Sequence, residues 1–164
     1  HDEERLRRRQ GVAGAPAGQA RQAAAAHQPP LAADVAVLHR VNNGLHSLQW
    51  TPDKVTDEQI REVVRNMIRA FRKGAPKAKL VWAATTPHTA RGRPVTGLGE
   101  LNPVVLRINT LADQVVREEK IERVDLYALL QDRLDLAAGD QYHWSGEAYQ
   151  LIAEALRKKC EELL

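Results

Sequence analysis

Serine is almost missing from this chain: its 164 residues hold two, Ser47 and Ser145, beside a single cysteine, methionine and phenylalanine. One thiol, Cys160, excludes an internal disulfide and a cysteine-rich zinc cluster. Its neighbours Lys158, Lys159 and Glu161 make a charged helical surface with no His or Asp close in sequence, which argues against a cysteine nucleophile. Aromatic residues make up only 4% of the chain against 43% hydrophobic residues overall, so aliphatic packing has to build the core. No apolar run is long enough to span a bilayer, and the N-terminus lacks the charged-then-apolar pattern of a secretion signal. The expectation is a soluble chain without membrane insertion, its compartment and oligomeric state open. A metal-ligand cluster, a Gly-rich phosphate loop and a dinucleotide fingerprint are all missing, so no cofactor and no metal is expected. The net charge is +3 and the pI about 9.2, but acidic residues are interspersed and no basic stripe forms, which argues against nucleic acid. The densest run, "RLRRRQ", follows Asp2, Glu3 and Glu4 and reads as a solvated helix face. The chain opens on His1 rather than Met, and this reading expects further sequence upstream.

What is present is an alternation of apolar runs and amphipathic stretches. "GVAGAPAGQARQAAAAHQPP" is Gly- and Ala-rich, helical from about Pro16 and stopped by Pro29 and Pro30. "ADVAVLHRV" then reads as a buried strand, and "NNGLHSLQWTPDKVT" as a loop. From Asp57 to Lys73, Ile60, Val63, Val64, Met67, Ile68 and Phe71 recur at the helical period, Thr56 and Gln59 supply a capping box, and Gly74 ends the helix. "AKLVWAATTP" is a second buried strand, followed by the polar loop "HTARGRPVTGLGE". Asn102 is expected to cap a helix opened by Pro103 and running to about Lys120, with Val104, Val105, Ile108, Leu111, Ala112 and Val115 inward. "IERVDLYALL" gives a third strand and a helical turn, and Ser145 caps a final amphipathic helix. Strands near 33–41, 79–85 and 121–126, alternating with crossover helices, predict a three-layer α/β fold: a flavodoxin-like parallel sheet with helices on both faces. Ligands of such sheets gather at the carboxyl ends of the strands. Asn42, Asn43 and His46, the stretch from Thr85 to Arg93, and Asp140 with His143 all fall after strands or before the last helix, so one edge collects the chemistry.

The sharpest of these signals is "GDQYHWSGEAYQ". An Asp three residues before a His can hold the imidazole Nδ1, fix the tautomer and leave Nε2 free as a base. Nine Asp and six His make that spacing a common coincidence, and a hydrogen bond at a helix entry would look the same. Trp50 and Trp144 are placed either to line a substrate cleft or to pack the sheet end.

"DQYHWSGEAY" resembles the last motif of the SGNH (GDSL-like) esterase superfamily, Asp-x-x-His near a helix start. "GVAGAPAGQAR" is similar to that superfamily's second block, with Gly14 at the position whose backbone N–H joins the oxyanion hole. "NNGLHSLQW" is similar to the third block; one alignment makes Asn42 or Asn43 the oxyanion donor, and another, following a "GLHD" subgroup, makes it His46, with Ser47 replacing that Asp. The resemblance covers most of the chain and implies one SGNH-hydrolase-like domain over 1–164, incomplete at its N-terminus and including the low-complexity stretch within 1–30. It implies a serine esterase cleaving small-molecule or carbohydrate O-acyl esters, with Asp140 and His143 as its acid–base pair and no metal. The departure is at the nucleophile. No Gly-Asp-Ser block occurs, and neither Ser47 nor Ser145 follows a strand in such a setting, so the first central strand is expected to be missing along with the serine. The chain as written is then expected to be inactive. The alternatives are a non-catalytic binding or interaction domain on the same scaffold, or an unrelated flavodoxin-like module in which Asp140 and His143 point away from the Asn42 loop.

Overall fold

The computed structural model of the chain describes residues 35–39 and 54–164. Three strands, β1 (Val35–His39), β2 (Lys79–Ala83) and β3 (Glu122–Val124), lie in the order β1-β2-β3, each neighbouring pair parallel. Val35 to His39 run opposite Lys79 to Ala83, and Val81 to Ala83 opposite Glu122 to Val124. Helices α1 (Asp57–Gly74) and α2 (Asn102–Glu118) connect the strands; α3 (Leu126–Leu130), a 3-10 turn (Leu134–Leu136) and α4 (Gly146–Leu163) follow β3.

The central strand explains the layers. After exposed Lys79, the residues Leu80, Val81, Trp82 and Ala83 are all buried, which for a pleated strand means that both faces are covered. Leu80 and Trp82 pack on Val64 and Ile68 of α1 and on Ala112, Val115 and Val116 of α2. Val81 and Ala83 point the other way, toward Val124, Leu126 and the Ile152, Ala155 and Leu156 side of α4. The expected parallel α/β sheet with helices on both faces is therefore present, with β2 two and β3 three residues shorter than their apolar runs suggested. None of the described helices is long and apolar enough to cross a membrane.

Helix α1 forms as its ends predict. The Gln59 backbone N–H donates to Thr56 Oγ1 at 3.2 Å and the Thr56 N–H to Gln59 Oε1 at 2.8 Å, closing the capping box. Asp57 and Glu58 in the first turn and Arg72 and Lys73 in the last suit the helix dipole. Ile60, Val64 and Ile68 form its buried line, whereas Val63 is 42% exposed: at the edge of the apolar stripe, it overhangs the core instead of entering it.

Helix α2 departs from expectation at its start. Leu101 is the N-cap, without a side-chain cap bond, and Asn102 lies already inside the first turn. The Asn102 side chain is buried and its Nδ2 donates to the Tyr127 hydroxyl at 2.7 Å, tying α2 to α3. Further along, Asn109 faces the exit of β2. The Thr85 N–H donates to Asn109 Oδ1 and Asn109 Nδ2 donates to the Thr85 carbonyl, both at 2.9 Å and both buried. This two-point clamp fixes the direction in which the chain leaves the central strand.

Candidate active site

Because the strands are parallel, the chain leaves β1 after His39, β2 after Ala83 and β3 after Val124 at one edge of the sheet, where His39 and Ala83 lie side by side. Two excursions from that edge build the site. The first, residues 88–99, is a narrow loop closed by Gly99 N–H to His88 O at 2.8 Å and Ala90 N–H to Gly97 O at 2.9 Å. The second, 136–145, is a hairpin held by Ser145 N–H to Leu136 O at 2.7 Å and Ala138 N–H to His143 O at 2.9 Å. They are laced together by backbone: Thr89 N–H donates to Gln141 O at 3.1 Å and Gly92 N–H to Gly139 O at 3.0 Å, with Arg91 opposite Asp140.

Asp140 and His143 occupy the hairpin tip. Asp140 Oδ1 accepts from the backbone N–H groups of Tyr142 at 3.1 Å and His143 at 2.9 Å, while Oδ2 lies 2.5 Å from His143 Nδ1. One carboxylate thus folds the turn and grips the ring. The His143 backbone N–H does most to hold the Asp140 carboxyl down at about 2, with the His143 side chain and the Tyr142 N–H assisting against some desolvation. An ionised Asp140 needs a hydrogen on Nδ1, which leaves the Nε2 lone pair available. That nitrogen faces outward: the His143 side chain is 69% exposed, and Nε2 has no partner among the described residues. The tip is tight, with both Gly139 and Gln141 at a φ of 85°. Gly139 is suited to that conformation, and a Cβ on it would lie 2.4 Å from Gly92 O.

Beneath the tip sits His88, which is 1% exposed and has neither ring nitrogen hydrogen-bonded. Its ring meets the ring of Tyr142 edge-on, centroids 5.1 Å apart at 71°. Burial pushes the His88 imidazole below its ordinary value, opposed by the Glu100 carboxylate, so the ring is neutral and supports the turn as a packing element. The floor of the site is completed by Gly99, whose missing Cβ leaves the room that His88 occupies. Sequence reasoning passed over His88, Gly99 and Asn109, because each acts through a contact between segments distant in the chain.

Of the other candidates, Trp144 is 5% exposed and packs with Leu130, Leu136 and Ala148, so most of its ring serves the core. Ser145 is the N-cap of α4, its Oγ accepting from the Ala148 N–H at 3.3 Å. Cys160 is a half-buried free thiol on α4. Gly14, Asn42, Asn43, His46, Ser47 and Trp50 lie outside the described residues. Among the described residues no cluster of His, Cys, Asp and Glu forms that could hold a metal ion.

The fold is similar to that of solved ester hydrolases. The chain superposes on a lipase/acylhydrolase from Enterococcus faecalis with a TM-score of 0.55 and 18% identity, over 77% of this chain and 60% of that one. An acetylxylan esterase from Geobacillus stearothermophilus matches with a TM-score of 0.55 and 15% identity, over 76% of this chain and 58% of that one. A GDSL-like lipase from Bacteroides thetaiotaomicron matches with a TM-score of 0.60 and 14% identity, over 80% of this chain and 63% of that one. No protein-family model matches the chain, and no curated protein matches it in sequence. The chain thus shares its fold with these GDSL-like lipases and esterases, and it spans about three-fifths of their length.

Proposed function

We propose that the chain carries the acid–base half of an SGNH-type serine esterase. The observation that bears this reading is the Asp140 carboxylate, 2.5 Å from His143 Nδ1, at the carboxyl edge of a parallel sheet with Nε2 turned outward. In the reaction, a serine hydroxyl attacks the ester carbonyl carbon while His143 Nε2 takes its proton; the tetrahedral intermediate collapses as that proton passes to the leaving alcohol. Water then repeats the exchange to release the acid. Asp140 keeps the ring in the productive tautomer and offsets the imidazolium charge. Gly14 N–H and one of Asn42, Asn43 and His46 are the proposed oxyanion donors. The neighbours' printed names include acetylxylan and peptidoglycan O-acetyl esterases, which favours short O-acyl groups on carbohydrate as the substrate class.

The nucleophile is the step these 164 residues do not supply. Ser145 is engaged as a helix cap, and Ser47 lies in no Gly-Asp-Ser setting. The expected result with p-nitrophenyl acetate is hydrolysis no faster than that of free imidazole at equal concentration. Joining an upstream strand that ends in Gly-Asp-Ser is expected to bring turnover, which His143→Ala then abolishes. Turnover by the present chain that vanishes in His143→Ala but survives Ser47→Ala and Ser145→Ala would refute a serine mechanism. The lack of a Gly-Asp-Ser block also favours a second reading, a binding domain on the esterase scaffold, which predicts ligand binding but no turnover even with that segment joined.

A further inference from the structure

At the base of the 136–145 hairpin, between Ala137, Ala138, Trp144 and Ser145, the turn at Arg93–Val95 and the Leu134–Asp135 segment, lies a groove of about 540 Å³, within the roughly 300–1,000 Å³ of small-ligand sites and one residue along the chain from His143. Its walls are largely apolar, with Pro94, Val95, Leu134 and Trp144 among them, and one of its cations is Arg93. Two contacts hold that side chain, and a backbone bond holds the residue before it. Its Nε donates to the Ala138 carbonyl at 2.9 Å; its stem lies over Gly139, where a Cβ would come within 2.8 Å of Arg93 Cγ; and the preceding Gly92 N–H is bonded to Gly139 O at 3.0 Å. The guanidinium is thereby oriented while Nη1 and Nη2 have no partner among the described residues. Several other arginines are spent on carboxylates, as in Arg65 with Glu58, Arg107 with Asp57 and Arg123 with Asp113. The acid in the groove, Asp135, is already matched by Arg133, whose side-chain hydrogen bond holds its carboxyl below the usual range.

We propose that this groove is a subsite for a carboxylate-bearing sugar, with Arg93 as its anchor, so that the ester presented to His143 is carried on an acidic carbohydrate. An anchored guanidinium with two free donors matches the two oxygens of a carboxylate. A single carboxylate is the complement of Arg93, since the acid lining the same groove, Asp135, is paired with Arg133. The apolar walls suit the faces of a sugar ring. The word substrate rests on the esterase reading, but the subsite itself does not.

Binding is therefore the test, since it needs no nucleophile. Trigalacturonate and a neutral galactose trisaccharide are titrated into the whole chain by calorimetry at low salt. The acidic sugar is expected to bind about tenfold or more tightly, as one charged hydrogen-bonding partner warrants. Arg93→Gln is expected to erase that difference, Arg93→Lys to keep part of it, and Arg117→Gln, a distant cation on α2, to leave it whole. Equal binding of the two sugars, a preference that persists in Arg93→Gln, or an equal loss in Arg117→Gln overturns the subsite. Should Arg93→Gln fail to fold, the Arg93 side-chain ¹⁵N signals of the unaltered protein decide: they shift with trigalacturonate if the proposal holds and stay fixed if it is wrong. Selective binding without turnover in the serine-supplied chain would refute the esterase reading alone; turnover without any Arg93-dependent preference would refute the subsite alone.

Discussion

Gly99→Ala is the smallest change that should disturb the candidate site. A Cβ at this position would fall 2.1 Å from His88 Nδ1, 2.4 Å from Thr89 O and 2.5 Å from His88 Cε1. Backbone cannot yield cheaply, and the His88 ring is 1% exposed, so the methyl group can be fitted only by driving the ring against Tyr142 or out of its pocket. Overpacking of this kind costs about 1–3 kcal/mol, and contacts so far inside van der Waals range put Gly99→Ala at the upper end. Gly97→Ala, in the same loop with nothing within 4 Å, serves as the control and should change stability by less than about 0.5 kcal/mol. Urea unfolding of the two variants measures the difference. Amide spectra of Tyr142 and His143 then show whether the strain reaches the turn. Shrinking the ring, in Gly99→Ala with His88→Ala, should recover part of the loss, since the two changes share one space. A Gly99→Ala protein as stable as Gly97→Ala, with Tyr142 and His143 unshifted, would refute the idea that His88 is wedged between Gly99 and the turn.

Two further outcomes follow from bonds already described. Asp140 has a folded-state value of about 2 against 3.8 unperturbed, so its contribution to stability is complete above about pH 4 and is lost as the pH falls through about 2. Unfolding free energy should therefore drop more steeply with acid over that window in the unaltered protein than in Asp140→Asn, and parallel curves would refute the assignment. Asn109→Ala removes both hydrogen bonds to the Thr85 backbone and should cost about 2–4 kcal/mol by chemical denaturation, with the amides of residues 84–90 shifted most.

The parts of this molecule that could be read in advance are those encoded by neighbours in sequence. The Thr56–Gln59 capping box, the four buried residues of β2 and the Asp140–His143 spacing each lie within a few positions, so periodicity and spacing exposed them. Asn102 looked like a cap because Asn before Pro often is one, but tertiary structure offered its side chain a buried hydroxyl on Tyr127, and the cap passed to Leu101. Val63 matched the helical period without being covered, since a stripe six residues rich is wider than the surface it packs against. His88 gave no warning. Its importance comes from Gly99 and Tyr142, neither of which it can be paired with before the loops are in place.

The lacing of the 88–99 and 136–145 excursions by main-chain bonds has a consequence for how such a site can diversify. Thr89 and Gly92 hold the hairpin through backbone N–H groups, Gly92 at a φ of 125° that favours glycine, whereas Pro94 to Thr96 lie beyond the last of those bonds. That tip can be lengthened, shortened or exchanged while the frame around Asp140 and His143 keeps its shape. It is a natural cassette: a place to graft new recognition sequence beside the hydrogen-bonded Asp140 and His143, in a laboratory or over a lineage.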